Sequence, residues 1–414
     1  MQKSLDRKLA AIHADPSGAR DFIIADAKDA DMALGIHACG KHPGGHEHER
    51  RIRTLAEYRD QIREIVHQGV VDIMLMSAST NDLLMNRERL FDNSAVTSAA
   101  RANDTTDIFV ARGNSYVAEP CRPFRTAAID HIQCGHLNCT SEQRARGTNL
   151  GLYSITYNNR LAEDLRSLEE YNRFRDEAER KGFRHFLEVF DPNAPQGLTP
   201  EDLPKFVNDC IVRTLAGVAE AGRPLFLKVV YHGPRAMEEL VTYDPHLVVG
   251  ILGGSSGTTY DAFKLISEAQ KYGARVALFG RKINNAECQL AFIEFLRLIV
   301  DGQISPEEAV RAYHGVLGKL KLRPHLRLEE DMQLQTAVMS YGGSTRVSVP
   351  AGVPSSHDHK PCPCDGPAHA SACDEKKPAT TSASTEVPDF SRMTQAEKLA
   401  WNKAKRDRIF GTSR

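Results

Sequence analysis

The sequence has almost no net charge, a single tryptophan, and no run of the roughly 20 apolar residues that a membrane-spanning helix needs. The 53 lysines and arginines are balanced by 54 aspartates and glutamates, for a formal net charge of −1. Binding to nucleic acid or to an anionic membrane through bulk charge requires an excess of positive charge. We therefore expect neither partner. The charged segment from Met1 to Ala11 also lacks the apolar region of a secretory signal.

The sequence also lacks the cysteine pattern of a disulfide-rich protein and the glycine motif of a dinucleotide-binding protein. The nine cysteines are an odd number, scattered through a long chain, which favours reduced thiols and a cytoplasmic location over a disulfide framework. The first apolar run is not followed by the G-x-G-x-x-G pattern of dinucleotide-binding folds. We therefore expect no cofactor.

Eight short apolar runs, rich in Val, Ile, Leu and Phe, predict parallel strands that are covered on both faces. They lie at Phe22–Asp26, Val70–Met76, Asp107–Ala111, Leu150–Tyr157, Phe183–Phe190, Pro224–Tyr231, Leu247–Leu252 and Arg275–Phe279. Segments with helical spacing lie between most of them, at Leu55–Gln68, Leu161–Lys181, Leu203–Ala221, Thr258–Tyr272, Ala286–Asp301 and Pro306–Leu317. This alternation predicts an α/β fold, a (β/α)8 TIM barrel. An open doubly wound sheet is the alternative.

The composition changes near residue 343. We expect a TIM-barrel domain over residues 1–343, a low-complexity linker rich in Pro, Ser and Thr over 344–390, and a short amphipathic helix over 391–414. The terminal helix carries Leu399 and Trp401 among many charges, so we interpret it as a docking element.

Two charged residues interrupt apolar strands at neighbouring positions of the predicted barrel. Lys228 lies within Leu225–Tyr231, and Glu188 lies within Phe186–Phe190. A lysine in apolar surroundings holds its proton less tightly, and the neutral amine can attack a carbonyl to form a Schiff base. A carboxylate beside it can move protons. The alternative is a structural ion pair.

The predicted first strand ends in Asp26, and Lys28 follows it. With a period of two, Ile24, Asp26 and Lys28 share one face of the strand. Whether that face points into the barrel is left open by the sequence.

Two glycine-containing loops follow the last two predicted strands. The first begins with Gly253, Gly254 and Ser255, and the second contains Gly280 and Arg281. Small residues let backbone N–H groups approach an anion, and these two loops bind phosphate in many barrels. Two ordinary turns are the alternative interpretation.

Together, the motifs FLEVF, LFLKVVYHG, GGSSGTTYDAF and ALFGRKI resemble, in this order, those of class I (Schiff-base) aldolases of the deoxyribose-phosphate and tagatose-bisphosphate aldolase superfamily. The resemblance implies that Lys228 is the Schiff-base lysine and that Glu188 and Asp26 are the strand-five and strand-one carboxylates. It also implies that Lys28 replaces an arginine, and that Gly253, Gly254, Ser255, Gly280 and Arg281 hold a phosphate. The glycine that normally follows the basic residue of strand one is missing here.

Three groups of cysteine and histidine suggest metal binding by their density alone. They comprise His37, Cys39, His42, His46 and His48; Cys121, Cys134, His136 and Cys139; and His357, His359, Cys362, Cys364, His369 and Cys373. The spacing of the first group matches no zinc pattern. Metal binding by the second group and adventitious binding of a soft metal by the third are the alternatives, but we interpret all three as polar loops and linker, with no metal site.

The favoured function is a class I aldolase-like lyase that acts on a sugar-derived ketone or aldehyde, which the resemblance implies is phosphorylated. We expect a homo-oligomer. One alternative is a metal-assisted sugar isomerase or epimerase that uses histidines of the first loop. The other is a non-catalytic barrel that acts in assembly.

Overall fold

The computed structural model describes residues 1–42, 51–253 and 257–335, which belong to one compact unit. Ten strands are found in these ranges: β1 (Ile23–Lys28), β2 (Ile73–Met76), β3 (Thr97–Arg101), β4 (Asp104–Thr105), β5 (Pro123–Phe124), β6 (Leu150–Thr156), β7 (Arg184–Phe190), β8 (Leu227–Val229), β9 (Val249–Leu252) and β10 (Val276–Phe279). Eight of them close a barrel in the order β1-β10-β9-β8-β7-β6-β3-β2, and all its pairings are parallel. The predicted TIM barrel is confirmed.

Fourteen α-helices accompany the strands in the same ranges: α1 (Ser4–Ala14), α2 (Asp31–Leu34), α3 (Leu55–Gln68), α4 (Ala78–Asn81), α5 (Ile129–Cys134), α6 (Ser141–Arg146), α7 (Leu161–Arg180), α8 (Leu203–Leu215), α9 (Pro234–Tyr243), α10 (Thr259–Lys271), α11 (Arg281–Asn284), α12 (Gln289–Val300), α13 (Pro306–Lys319) and α14 (Leu328–Asp331). All six predicted helices are present. No helix in the described part of the chain is long and apolar enough to cross a membrane.

The third barrel strand is not where the sequence analysis placed it. Residues 107–111 form no strand, since a turn covers 106–108, and β3 lies earlier in the chain. The ring of Phe109 packs instead against Tyr116 and Phe124, at centroid distances of 5.6 and 5.9 Å, inside the long insertion between β3 and β6. Ser and Ala dominate β3, and such residues carry little strand signal in a sequence.

Buried side chains form two layers, one inside the barrel and one between the barrel and its helices. Ile23, Ala25 and Ala27 of β1 belong to the inner layer, whereas Phe22 and Ile24 belong to the outer layer. Leu5, Leu9 and Ile12 of α1 join the inner layer and so close the barrel beside the start of β1. These two layers tell us which face of each strand points inward.

Candidate active site

Lys228 and Glu188 lie side by side on the inner face of the barrel. They are register partners on β7 and β8, and both side chains are buried. The ammonium of Lys228 contacts Oε1 of Glu188. Residues two positions earlier on the same strands, Phe186 and Phe226, belong to the inner layer, so Glu188 and Lys228 point the same way.

The floor beneath this pair is aromatic. The rings of Phe186 and Phe226 stack with their centroids 4.6 Å apart, and both are fully buried. An apolar floor keeps water from one side of the Lys228 amine and strengthens its electrostatic interactions with neighbouring charges.

The second oxygen of Glu188 is also engaged. The hydroxyl of Ser154 on β6 donates to Oε2 at 2.7 Å, and a guanidinium nitrogen of Arg101 on β3 lies 3.6 Å from the same atom. Arg101 also donates to the Ser154 hydroxyl at 3.1 Å. Both carboxylate oxygens of Glu188 therefore have partners, and the group is held in one orientation.

Arg101 connects this group to a carboxylate of strand one. Its Nε donates to Oδ2 of Asp29 at 2.6 Å, and both side chains are buried. Asp29 follows β1 directly and lies an even number of residues after Ala25 and Ala27, the inner-layer residues of that strand. The barrel mouth thus holds Asp29, Arg101, Glu188 and Lys228, with alternating charge.

The structure does not bring Asp26 or Lys28 to this group. Both share the face of Ile24, which lies in the outer layer. The ammonium of Lys28 donates to Gln289 at 2.9 Å and to Asn284 at 3.4 Å, and lies 5.8 Å from the centre of the Tyr58 ring. These partners belong to α3, α11 and α12, so the pair faces the helices instead of the barrel mouth.

Asp26 is an unusual buried carboxylate. It is 0% exposed, and its nearest charge is the ammonium of Lys28, at 3.4 Å. Neither carboxylate oxygen accepts a hydrogen bond from a described residue. Burial therefore raises the pKa of Asp26 to about 6, against the opposing effect of Lys28. Burial likewise lowers the pKa of Lys28.

The expected anion site is only partly described. Gly253 donates its N–H to the carbonyl of Leu278 at 2.8 Å, so this N–H is already used by the sheet. A Cβ on Gly253 would lie 2.2 Å from the Phe279 ring, and one on Gly280 would lie 2.9 Å from the Ala27 carbonyl. Close packing therefore requires both glycines, whatever they bind. Gly254 and Ser255 lie outside the described residues.

Arg281 is exposed at the start of α11, directly after β10. Its guanidinium makes no hydrogen bond or ion pair with any residue in the described ranges. A guanidinium without a carboxylate partner has all its N–H donors available for an anion.

The amino end of α10, by contrast, is already occupied by carboxylates of this chain. Oδ2 of Asp261 accepts from the N–H groups of Gly257 and Thr258 at 3.1 and 3.0 Å. Oδ1 of Asp331 accepts from the N–H of Thr259 at 2.6 Å. The first turn of this helix therefore does not provide the expected anion-binding N–H groups.

Of the three cysteine and histidine groups, the second contains a disulfide. Cys134 and Cys139 form a disulfide, with their Cα atoms 6.1 Å apart. The expectation of reduced thiols is therefore wrong for this pair. The disulfide also removes two of the four residues of that group as metal ligands. Across residues 1–42, 51–253 and 257–335, no three or more His, Cys, Asp or Glu side chains are arranged to hold a metal ion. His46, His48 and the group after residue 356 lie outside these ranges, as do the predicted linker and terminal helix.

Sequence reasoning missed Ser154, Arg101 and Asp29. Ser154 had a usable signal, because it is a polar residue inside an apolar strand; the structure aligns it with Glu188 in register. Arg101 could not be placed, because it ends β3, a strand whose Ser and Ala residues give little strand signal. Asp29 gave no signal of its own, because the sequence of a strand that is buried on both faces does not show which face points into the barrel.

No protein-family model and no curated protein sequence matches this chain. Solved structures do match it. An archaeal fructose 1,6-bisphosphate aldolase is 16% identical, with a TM-score of 0.50, over 71% of this chain and 99% of that one. A Schiff base-forming fructose-1,6-bisphosphate aldolase, solved with reaction intermediates, is 15% identical, with the same TM-score and coverage. The structural neighbours of this TIM barrel thus include class I aldolases, the group that its motifs resemble, and at these identities the similarity is one of fold.

Proposed function

We propose that this protein is a class I aldolase-like lyase that makes or breaks a carbon–carbon bond through a Schiff base on Lys228. The observation that carries the proposal is the buried amine of Lys228 in the barrel mouth, in contact with the carboxylate of Glu188 on the adjacent strand. The similarity in fold to two fructose-bisphosphate aldolases is consistent with it.

In the proposed reaction, Lys228 loses a proton to Glu188 and its nitrogen bonds to the carbonyl carbon of a sugar-derived ketone or aldehyde. Glu188 returns the proton to the carbinolamine oxygen and then moves a second proton from the nitrogen to the same oxygen, which leaves as water and gives the iminium. The resulting iminium accepts the electron pair of the adjacent carbon–carbon bond as that bond breaks. The hydroxyl on the departing carbon loses its proton to a carboxylate and becomes an aldehyde. Protonation of the enamine and hydrolysis then release the second product and restore the amine.

Two carboxylates are needed for these proton movements, and the second is assigned to Asp29. The family resemblance implied Asp26 for this role, but Asp26 faces the helices, whereas Asp29 contacts Arg101 beside Glu188. Arg281 is assigned the anionic end of a phosphorylated substrate, since its guanidinium has no partner among the described residues.

Reductive trapping tests the proposal. Dihydroxyacetone phosphate and cyanoborohydride are added to the full chain, and the modified lysine is identified by peptide mass spectrometry. We expect Lys228 to be labelled, and the buried Lys8 and Lys28 to remain unlabelled as internal controls. Lys228→Met keeps a side chain of similar length without the amine, and we expect it to abolish labelling. Labelling that persists at full yield in a folded Lys228→Met protein rejects the assignment.

Exchange of the ketone's α-proton with D2O, followed by NMR, tests the next step. Enamine formation makes this proton exchangeable without any aldehyde partner, so the experiment does not depend on knowing the sugar. We expect exchange with the wild type and none with Lys228→Met. Trapping without exchange would mean that Lys228 binds carbonyls but does not activate the adjacent carbon.

A further inference from the structure

Glu188 is shared between two cations. Lys228 contacts Oε1, while Arg101 lies 3.6 Å from Oε2 and also reaches it through the Ser154 hydroxyl. A carboxylate that interacts with a second cation stabilises the first one less. The ammonium of Lys228 therefore feels less than the full negative charge of Glu188.

Arg101 is in turn shared between two carboxylates. Asp29 accepts a hydrogen bond from its Nε at 2.6 Å, and the Arg101 side chain is only 6% exposed. The carboxylate of Asp104 also acts on Arg101 electrostatically. Gly250, the register partner of Lys228 on β9, adds no charge. Asp29, Arg101, Glu188 and Lys228 form a row of alternating charge. Because this row is shielded from water, a change of charge at one member affects the others.

We propose that Arg101 is a positioning residue that, through Glu188, keeps the amine of Lys228 available for reaction with a carbonyl, and that Asp29 sets the strength of this effect. Without Arg101, Glu188 holds the ammonium form of Lys228 more tightly. Without the charge of Asp29, Arg101 acts more strongly on Glu188 and the ammonium form is held less tightly. The role in Schiff-base formation rests on the proposed function, whereas the effect on the amine does not.

The two substitutions therefore have opposite signs. Arg101→Met removes the positive charge and keeps much of the side-chain volume. Asp29→Asn removes the negative charge and keeps the shape. If the row served only to hold the fold, both variants would disturb the site in the same direction, so opposite signs separate a positioning role from a structural one.

The experiment follows methylation of Lys228 by formaldehyde and cyanoborohydride as a function of pH, measured by peptide mass spectrometry. Only the neutral amine reacts, so the pH of half-maximal rate reports how tightly the proton is held. We expect Arg101→Met to raise this midpoint by about one pH unit, which is the scale of a neighbouring-charge effect, and to slow labelling at neutral pH about tenfold. Asp29→Asn should lower the midpoint, and Arg101→Lys should restore it in part, because the charge returns without the planar fork.

Arg125→Met is the matched control. Arg125 is also partly buried and pairs with a carboxylate, Glu177, at 2.6 Å, but it belongs to the insertion and contacts α7. Its substitution should leave the midpoint of Lys228 unchanged. Thermal melting confirms that each variant is folded, and if Arg101→Met fails to fold, the sign of the Asp29→Asn shift decides alone.

Midpoints that do not move, or that move in the same direction in both variants, overturn the proposal. Failure of the proposed function looks different. In that case the midpoints shift as expected, but the wild type does not trap dihydroxyacetone phosphate. If trapping occurs and the midpoints stay fixed, the aldolase assignment stands and the role of Arg101 is rejected.

Discussion

Replacing Asp26 with Asn should stabilise the barrel at neutral pH. In the folded state the pKa of Asp26 is raised from 3.8 to about 6, because burial outweighs the attraction of Lys28. Each pKa unit corresponds to about 1.36 kcal/mol, so ionising Asp26 costs the folded state about 3 kcal/mol relative to the unfolded chain. The neutral Asn has the shape of protonated aspartic acid and avoids this cost.

The sign and the pH range follow from linkage. Between about pH 4 and pH 6 the folded protein holds a proton on Asp26 that the unfolded chain has lost, so this group's contribution to stability falls as the pH rises. Below that range neither state is ionised at Asp26, and the variant and the wild type should be about equally stable. Above it the difference should be constant, with the variant more stable by about 3 kcal/mol.

Urea unfolding of both proteins from pH 3.5 to pH 7.5 measures this difference. Other groups that titrate over the same range are common to both proteins and cancel in the comparison. For a domain of roughly 330 residues, 3 kcal/mol corresponds to about 4 °C in Tm. Asp209→Asn is the matched control, because Asp209 is exposed on α8, and it makes the same chemical change without burial.

The Asp26→Asn protein should still trap a ketone on Lys228, since Asp26 faces the helices. Parallel stability curves for variant and wild type would refute the reasoning. A variant that loses stability relative to the wild type as the pH rises would show that the ion pair with Lys28 outweighs the cost of burial.

Three further predictions concern the site and the tail. Arg281→Ala should weaken binding of a phosphorylated ketone by about one to two orders of magnitude, the value of a charged hydrogen bond of about 1.5–3 kcal/mol. Trapping of an unphosphorylated ketone should be unaffected, and equal losses for both ketones would reject the anion role. Glu188→Gln should slow α-proton exchange by about 10²–10⁴-fold in a folded protein, measured by NMR, and an unchanged rate would remove Glu188 from the proton transfers. Deletion of residues 344–414 should leave the Tm unchanged, because residues 344–390 are rich in Pro, Ser and Thr and poor in the apolar residues that a core needs, and loss of cooperative unfolding would place the tail in the core.

The barrel itself could be predicted because its strands and helices differ strongly in pattern. The helix at 55–68 was predicted with its observed bounds, since its apolar residues recur along one stripe. The pairing of Lys228 with Glu188 was also predictable, because consecutive strands of such a barrel are neighbours. Register, which decides whether two such residues face each other, depends on packing that a sequence does not display.

The sequence showed which residue types lie in the expected anion site, but not which of their N–H groups are already bonded within the chain. The run of glycines after β9 suggested open N–H groups, yet close packing against Phe279 explains Gly253 equally well. Carboxylates from α10 itself and from α14, about 70 residues further along the chain, already occupy the amino end of α10. Such a long-range contact leaves no local pattern, so a glycine-rich turn indicates room for a backbone and does not by itself indicate a ligand.

The same limit explains why Asp26 was preferred to Asp29. A parallel strand that is covered on both faces has no alternation of apolar and polar residues, and a shift of one residue moves every side chain to the other face. All six residues of β1 are buried, so burial could not have distinguished its faces even with a correct strand assignment. The partners distinguish them: Lys28, with Gln289 and Asn284, lies against Asp26 on the helix side, and Arg101 binds Asp29 on the barrel side. In a fully buried strand, the position of a carboxylate follows from where its cation is anchored, and Arg101 is anchored in the barrel mouth.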